Sequence, residues 1–379
     1  MGDPHFHFCG KLMIRESPFL FNFKLLNHTS FGTDPVEVLK ETINRQTLQK
    51  LAQRYIAFDV ETTGLSAQND RIIELGAVIF EKGKIIDTFS SLVNPHQVIP
   101  YPVTMVNHIT NEMLASAPEE KDIYPSFIDF MGNSLNGETL ICAHNARFDT
   151  SFLKETFNRL GYYANIHYVD TLALSQHLIR DIENHKQSTV GDYFHIYNTN
   201  AHRASSDAEV CGKILWRLMD YSMMDHAQRR KRTEKNQLSQ EEMDICNYLY
   251  QMILEHDSKC PYLGFYKNSN AYIDVDYLLS FFKLKFARRG HYFIIPKNEA
   301  LKYDVIFSPC TKSEGINNVR VFFTSPNDLF IFKNYILKEY DECKALVTPV
   351  LKRHPYFAKK YESNPALDVV KQLQAKTIE

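Results

Sequence analysis

Four acidic residues and one histidine, each beside a predicted strand or helix, constrain the fold of this chain more than any other feature. They are Asp59, Glu61, Asp149, His202 and Asp207. Carboxylates that lie close together repel one another, and they all stay charged only where a cation lies between them. Carboxylate oxygens suit hard divalent cations such as Mg²⁺, and a histidine can accept a proton near neutral pH. We therefore expect the fold to bring these five side chains to one site.

Asp59 and Glu61 lie two positions apart, in and just after a predicted strand over 55–60. Side chains alternate across a strand, so both carboxylates should point to one face of it. Gly64 would allow the chain to turn sharply after them. Taken alone, the same pattern also fits a strand with two solvent-facing acids.

The other three residues lie at predicted helix starts. Asp149 follows a predicted strand and begins a helix, and alone it fits a plain helix cap. His202 precedes another predicted helix, and Asp207 lies in the first turn of that helix. A histidine in a loop would stay mobile, which suits a site that admits a substrate and then closes. Taken alone, this pair also fits an exposed histidine and an acid that complements the helix dipole.

Five apolar runs are predicted to be strands, and helical patterns follow the third and later ones. The predicted strands are 55–60, 72–80, 84–93, 139–143 and 168–169, with a hairpin turn at 81–84. The predicted helices are 111–115, 123–135, 150–160, 171–180, 189–195 and 204–219. This order predicts an α/β fold in which a mixed sheet is flanked by helices.

A length of 379 residues suggests two domains. We predict an N-terminal extension with one helix over 1–53, a first domain over 54–221, a linker over 222–240, a C-terminal α+β domain over 241–352 and a polar tail over 353–379. The N-terminal helix should run from Asp34 to about Arg54, and a capping box over 239–242 should open another helix. A further apolar helix is predicted around 277–286.

Charge and composition restrict the function. The formal net charge of −2 excludes a uniformly basic nucleic-acid coat but permits a local basic groove. Residues 281–292 interleave aromatic and basic side chains, a pattern that fits single-strand binding and also fits an amphipathic helix with a solvated basic face. The basic run over 229–232 leaves the same two interpretations open.

The seven cysteines are odd in number and include no Cys-x-x-Cys pair, which favours reduced thiols in a cytoplasmic protein. No apolar run approaches the roughly 20 residues needed to cross a bilayer, and no signal peptide is apparent. We therefore expect no membrane partner.

Three segments of the sequence resemble known motifs when they are taken together. They are Phe-Asp-Val-Glu-Thr-Thr-Gly at 58–64, His-Asn-Ala-Arg-Phe-Asp at 144–149 and His-Arg-Ala-Ser-Ser-Asp-Ala at 202–208. In their order and separation they resemble the motifs of the DEDDh (DnaQ-like) 3′–5′ exonuclease family. The likeness covers about residues 54–221, and it extends in particular to the exonuclease domain of Gram-positive replicative DNA polymerases.

The resemblance implies a ribonuclease H-like fold and a two-metal site. Asp59, Glu61, Asp149 and Asp207 would hold two Mg²⁺ or Mn²⁺ ions, and His202 would be the general base. The substrate-binding residues would be Thr62, Leu65, His144, Asn145 and Phe148. The sequence departs from the family at Asn107-His108, where members often carry His-Gly or Thr-Gly, so His108 is given no catalytic role.

The implied activity is release of nucleoside 5′-monophosphates from the 3′ ends of DNA. Two alternatives stay open: trimming of RNA or degradation of oligoribonucleotides, and a catalytically weak module that only binds nucleic acid. The expected partners are a nucleic acid with a 3′ end, single-stranded DNA or RNA, and a DNA polymerase.

Overall fold

The computed structural model describes residues 35–180, 182–228, 237–288 and 290–378. These residues divide into two compact units. The first comprises the described part of Met1–Thr42 together with Gln53–Leu215, and the second comprises Ile43–Ala52 and the described part of Trp216–Glu379. Each unit is built around its own six-stranded sheet.

The first unit contains a mixed sheet with the strand order β4-β3-β2-β5-β6-β1. The strands are β1 (Val36–Lys40), β2 (Arg54–Thr62), β3 (Ile72–Glu81), β4 (Lys84–Leu92), β5 (Leu140–Ala143) and β6 (Ala164–Asp170). The pairs β2–β3 and β3–β4 are antiparallel, and the pairs β2–β5, β5–β6 and β6–β1 are parallel. Three antiparallel strands followed by parallel strands across helical crossovers form the ribonuclease H-like arrangement, here with β1 as an additional edge strand. The predicted mixed sheet is confirmed.

Helices cover both faces of this sheet. They are α2 (Tyr101–Asn107), α3 (Asn111–Ala115), α4 (Glu120–Met131), α5 (Arg147–Leu160), α6 (Thr171–Leu178), α7 (Gln187–Tyr193) and the part of α8 (Ala204–Gln228) up to Leu215. Helix α1 (Arg45–Gln53) precedes β2 in the chain and belongs almost entirely to the second unit. On one face, aromatic residues of α4 and α5 form much of the core, and the ring of Phe127 lies 5.7 Å from that of Phe58 on β2. Helix α2 was not predicted, and the predicted helix 123–135 ends at Met131, where a 3₁₀ turn (Gly132–Asn136) begins.

The predicted N-terminal helix is wrong over its first part. Asp34 lies outside the described residues, and Val36–Lys40 forms β1, which pairs in parallel with β6. The helix α1 begins only at Arg45. A proline followed by an acid resembles a helix start, but the β-branched Val36 and Val38 suit an extended strand. β6 supplies the partner that this short edge strand needs.

The start of α8 lies directly against the sheet because two glycines allow it. A Cβ atom on Gly76 of β3 would lie 2.1 Å from the carbonyl carbon of Ala204, and one on Gly212 of α8 would lie 2.1 Å from the ring of Phe80. The Tyr55 hydroxyl donates to the carbonyl oxygen of Gly212 at 2.9 Å. These contacts fix the height and direction of α8 over β2 and β3.

The second unit contains an antiparallel sheet with the order β11-β12-β10-β9-β8-β7. Its strands are β7 (Leu263–Lys267), β8 (Tyr272–Tyr277), β9 (Leu279–Lys285), β10 (His291–Pro296), β11 (Phe307–Pro309) and β12 (Asn318–Phe323). Its helices after α8 are α9 (Gln240–His256), α10 (Lys297–Ala300), α11 (Pro326–Phe330), α12 (Lys333–Arg353), α13 (Pro355–Tyr361) and α14 (Asp368–Ile378). The predicted C-terminal α+β architecture is confirmed, and so is the capping box at Ser239 and Glu242.

Two predictions for this half of the chain are wrong. The segment 277–286 contains the end of β8 and all of β9 rather than a helix, because from Phe282 to Lys285 buried and partly exposed side chains alternate. The predicted linker 222–240 is helical up to Gln228, where α8 ends.

The predicted polar tail 353–379 forms two helices and a 3₁₀ turn. Phe357, Tyr361 and Leu373 are buried there. The run 229–232 lies outside the described residues. Among the helices of the described residues, none combines the length and the hydropathy that a membrane span requires.

Candidate active site

Strand β2 divides its side chains between two faces of the sheet. Ile56, Phe58 and Val60 enter the aromatic core on one face. Asp59 and Glu61 therefore point to the opposite face, over which α8 passes, as the two-residue spacing predicted. In the β2–β3 register Asp59 lies opposite Gly76, where no side chain competes for space, and a bulge follows Glu61. The bulge ends the regular strand directly after the second acid.

Asp149 reaches β2 from the neighbouring helix. The parallel pairing of β2 with β5 ends at Ala57 and Cys142, which leaves the following amides of β2 without a strand partner on that side. The amide of Val60 donates instead to Oδ1 of Asp149 at 3.2 Å. Asp149 is the third residue of α5 rather than its cap, and it is buried. Its carboxylate is thus held against the strand that carries Asp59.

His202 and Asp207 are joined by a hydrogen bond across the start of α8. The amide of His202 donates to Oδ2 of Asp207 at 2.9 Å, and His202 has a left-handed backbone with φ of 64°. The other oxygen of Asp207 accepts from Asn198 at 2.6 Å and from Gln187 at 3.4 Å. The imidazole is exposed, but the backbone that carries it is tied down. The expected mobility of the histidine is therefore restricted to its side chain.

The structure brings the predicted residues together. One ligand atom each from Glu61, His202 and Asp207 lies within 4.8 Å of the other two. Burial, and then the negative charges of Asp149, Asp207 and Glu61, raise the pKa of Asp59 well above its usual value. Asp59 therefore lies within reach of the charges of all three other acids.

The electrostatics of these acids fit a divalent cation site. Burial is the main cause that raises the pKa of Glu61 to about 7 and that of Asp149 to about 8. It also raises the pKa of Asp207. A cluster of carboxylates that resists ionisation in the absence of cations, with oxygen donors and one imidazole, has the chemistry of a hard divalent metal site.

The other predicted residues surround this cluster. Thr62 is buried and donates from its hydroxyl to the carbonyl oxygen of Gly64 at 2.6 Å, whereas Leu65 is 88% exposed. Asn145 is exposed with φ of 69°, and Phe148 is half-buried against Phe152. The exposed Leu65 and Asn145 are free to touch a bound molecule.

His144 is engaged within the fold. One of its ring nitrogens lies 3.0 Å from the Thr171 hydroxyl, and the other lies 2.8 Å from the carbonyl oxygen of His185. Burial lowers the pKa of His144. These contacts suit a residue that shapes the site rather than one that exchanges protons.

Three residues near the cluster were not predicted. Glu74 and Arg203 form an ion pair beside Glu61 and His202. Asn107 is buried and hydrogen-bonds to Glu61, which opposes the rise in the pKa of that acid. A signal was present for Glu74, since a single acid within an apolar strand requires a partner. At His108, which follows Asn107, the backbone has φ of 59°, the left-handed conformation that glycine adopts readily.

Comparison with known proteins matches this part of the chain to exonucleases. Residues 56–215 match the family model described as Exonuclease, RNase_T. DNA polymerase III PolC-type of Oceanobacillus iheyensis is 42% identical over 166 residues, which are 44% of this chain and 11% of that protein. The corresponding polymerase of Caldanaerobacter subterraneus is 38% identical over 170 residues, 45% of this chain and 12% of that protein. The chain thus spans about a tenth of the polymerases that it matches.

Residues 56–215 are thus similar to exonuclease domains of the DnaQ-like family. Among solved structures, exonuclease X in complex with 5′ overhanging duplex DNA is 25% identical to this chain. The match covers 45% of this chain and 92% of that one, with a TM-score of 0.36. The exonuclease domain lies within the first unit of the fold, and all five residues predicted for its site fall inside 56–215.

Proposed function

We propose that this chain is a metal-dependent 3′–5′ exonuclease that releases nucleoside 5′-monophosphates from single-stranded DNA. The observation that carries the proposal is the convergence of Glu61, His202 and Asp207 within 4.8 Å. The charges of Asp149 and Asp207 acting on Asp59 extend the same cluster. A binding module that had lost its chemistry would not be expected to retain the complete set.

Each residue has a role that follows from its position. Asp59, Glu61, Asp149 and Asp207 would hold two Mg²⁺ or Mn²⁺ ions. Bound cations of this kind lower the pKa of water and stabilise the charge that develops on a phosphate in its displacement. The exposed imidazole of His202 would accept the proton of the attacking water, because its ring lies beside two of the acids and is open to solvent.

The proposal of DNA rests on the relatives. The polymerases that match the exonuclease domain at 33% to 42% identity are DNA polymerases by name. For the same reason, a DNA polymerase is the partner chain that we propose. The geometry of the acids alone does not distinguish deoxyribose from ribose, so the assay includes an RNA strand of the same sequence.

The test is digestion of matched 5′-labelled DNA and RNA oligonucleotides with Mg²⁺, with Mn²⁺ and with a chelator. We expect a ladder of products that shortens from the 3′ end of the DNA, and the release of 5′-monophosphates. His202→Ala should reduce kcat by about 10²–10⁴-fold, the usual contribution of a general base. Asp59→Ala should abolish turnover.

The matched control is Asp87→Ala, which removes an exposed aspartate on β4 of the same sheet. This variant should digest DNA at the parental rate. If Asp59→Ala and His202→Ala both degraded DNA as fast as the parent, the proposed site would be wrong. Faster digestion of RNA than of DNA would show that RNA is the preferred substrate of the same reaction.

A further inference from the structure

Glu74 is a buried acid within the apolar part of β3. Its side chain is 1% exposed, and every residue of β3 except the last is buried. A buried carboxylate without partners is strongly unfavourable. The residues that bond to Glu74 therefore indicate its role. None of the roles assigned above uses this residue.

The carboxylate of Glu74 accepts hydrogen bonds from the two residues that follow His202. The Arg203 guanidinium donates from Nε to Oε1 at 3.0 Å and from Nη2 to the same oxygen at 2.6 Å. The Arg203 Nε also lies 3.3 Å from Oε2. The amide of Ala204 donates to Oε2 at 3.1 Å. The fork of the guanidinium and a backbone amide together fix both the position and the direction of the chain.

The backbone of His202 is consequently held on both sides. Its own amide is bonded to Asp207, and the next two residues are bonded to Glu74. Gly76, two residues along β3, makes this approach possible, because a Cβ atom there would lie 2.2 Å from the amide nitrogen of Ser205. The left-handed backbone of His202, with φ of 64°, is the conformation that these tethers enforce.

We infer that the Glu74–Arg203 ion pair is a positioning device for His202, which holds its exposed imidazole where the attacking water loses its proton. The inference rests on the proposed function. It assigns to β3 a part in catalysis: this strand carries no metal ligand, but it fixes the residue that moves the proton. Arg203 and Glu74 are positioning residues, and neither exchanges a proton itself.

The kinetic test uses Arg203→Lys, which retains the charge but loses the two-atom contact. At saturating Mn²⁺ we expect kcat to fall by about tenfold to 100-fold, the range that follows when a reacting group is misplaced by about 1 Å. The Kd for Mn²⁺ should stay within about twofold of the parent because no charge has changed. The matched control is Arg54→Lys, which alters an exposed arginine–glutamate pair between β2 and β3 and should leave kcat unchanged.

The decisive measurement combines Arg203→Lys with His202→Ala. If the ion pair acts through His202, the lysine substitution should cost nothing further once the imidazole is gone. A full additional loss in the double variant would overturn the inference. So would a fall in Mn²⁺ affinity that accounts for the loss of rate, because the pair would then act through the carboxylates.

A second measurement does not depend on activity. Glu74→Gln should accelerate hydrogen exchange of the amides over 202–207 in the metal-free protein, whereas Glu81→Gln on the same strand should not. Unchanged exchange in Glu74→Gln would overturn the positioning role even in a fully active enzyme. Conversely, if Glu74→Gln accelerated exchange but the parent protein had no exonuclease activity, the positioning role would stand and the proposed function would be wrong.

Discussion

Metal binding at this site should be strongly coupled to pH. Burial is the main cause of the raised pKa values of Glu61, at about 7, and Asp149, at about 8. A divalent cation binds the ionised forms, so both groups must release protons when it binds. From these two values, Mn²⁺ affinity should rise roughly 50-fold between pH 6 and pH 7 and only about twofold between pH 8 and pH 9. The raised pKa of Asp59 adds a further proton release when the cation binds.

The same groups determine how stability changes with pH. A carboxyl group whose pKa is higher in the folded protein favours folding in its neutral form. Its contribution is complete below the ordinary pKa of the acid and is lost as the pH rises through the folded value. The metal-free protein should therefore lose stability between about pH 5 and pH 9, a window that includes the values of Glu61 and Asp149. Mn²⁺ should raise the melting temperature more at pH 8.5 than at pH 5.5.

Isothermal titration calorimetry in buffers of different ionisation enthalpy measures both the Kd and the number of protons released. Asp149→Asn should reduce the change in affinity between pH 6 and pH 7 to about fivefold, because one titrating group has been removed. Asp87→Asn, at an exposed position, should leave the parental curve intact. A Kd that stayed constant from pH 6 to pH 8.5, with no proton release at pH 6.5, would refute the electrostatic reasoning.

Three further predictions concern the fold. Arg203→Gln should lower the free energy of unfolding in urea by about 3–5 kcal/mol, because it leaves the Glu74 carboxylate, which is 1% exposed, without its partner. Glu74→Gln should cost less, because the side chain of Arg203 is 36% exposed and can reach water. Equal losses for the two variants would contradict this reasoning. Gly76→Ala should lower both the melting temperature and kcat, since the added carbon would lie 2.1 Å from the carbonyl carbon of Ala204. A melting temperature equal to that of the parent would instead show that α8 can shift to make room. Phe357→Ala should destabilise the protein by about 3–5 kcal/mol if α13 is packed as described, whereas a change below about 0.5 kcal/mol would favour a frayed tail.

The sequence predicted those elements whose stability is local. Strands β2 to β5, helix α5 and the start of α8 are predicted within a few residues because each combines a clear period with a recognisable start or end, whereas α8 ends nine residues beyond its predicted end. β1 could not be predicted in this way, since a five-residue edge strand depends on β6, which lies more than a hundred residues later. The same holds for β9, because its local apolar pattern also fits a helix and only its pairing with β8 and β10 makes it a strand.

The site was predictable as a set of residues but not as a geometry. Asp59 and Glu61 share a face for the reason that the sequence gives, the alternation of side chains along a strand. The approach of Asp149 depends on where the pairing of β2 with β5 ends, which is a property of the assembled sheet. The restraint of His202 depends on Glu74, and no local pattern around His202 identifies a partner on a strand so distant in sequence.

Charge explains why Glu74 and Arg203 occur together beside this cluster. Glu74 lies directly opposite Glu61 in the β2–β3 register, so alone it would be a fifth acid in a site that already resists ionisation. Burial is the main cause of the raised pKa of Glu61. The negative charge of Glu74 raises this pKa further, and the positive charge of Arg203 lowers it. As a pair the two residues contribute almost no net charge, and so the tether can lie close to the metal-binding acids without altering their affinity for cations. A glutamine–lysine pair in the same place would hold the backbone less rigidly and would leave a net positive charge beside the acids. The ion pair therefore meets both requirements, rigidity and neutrality.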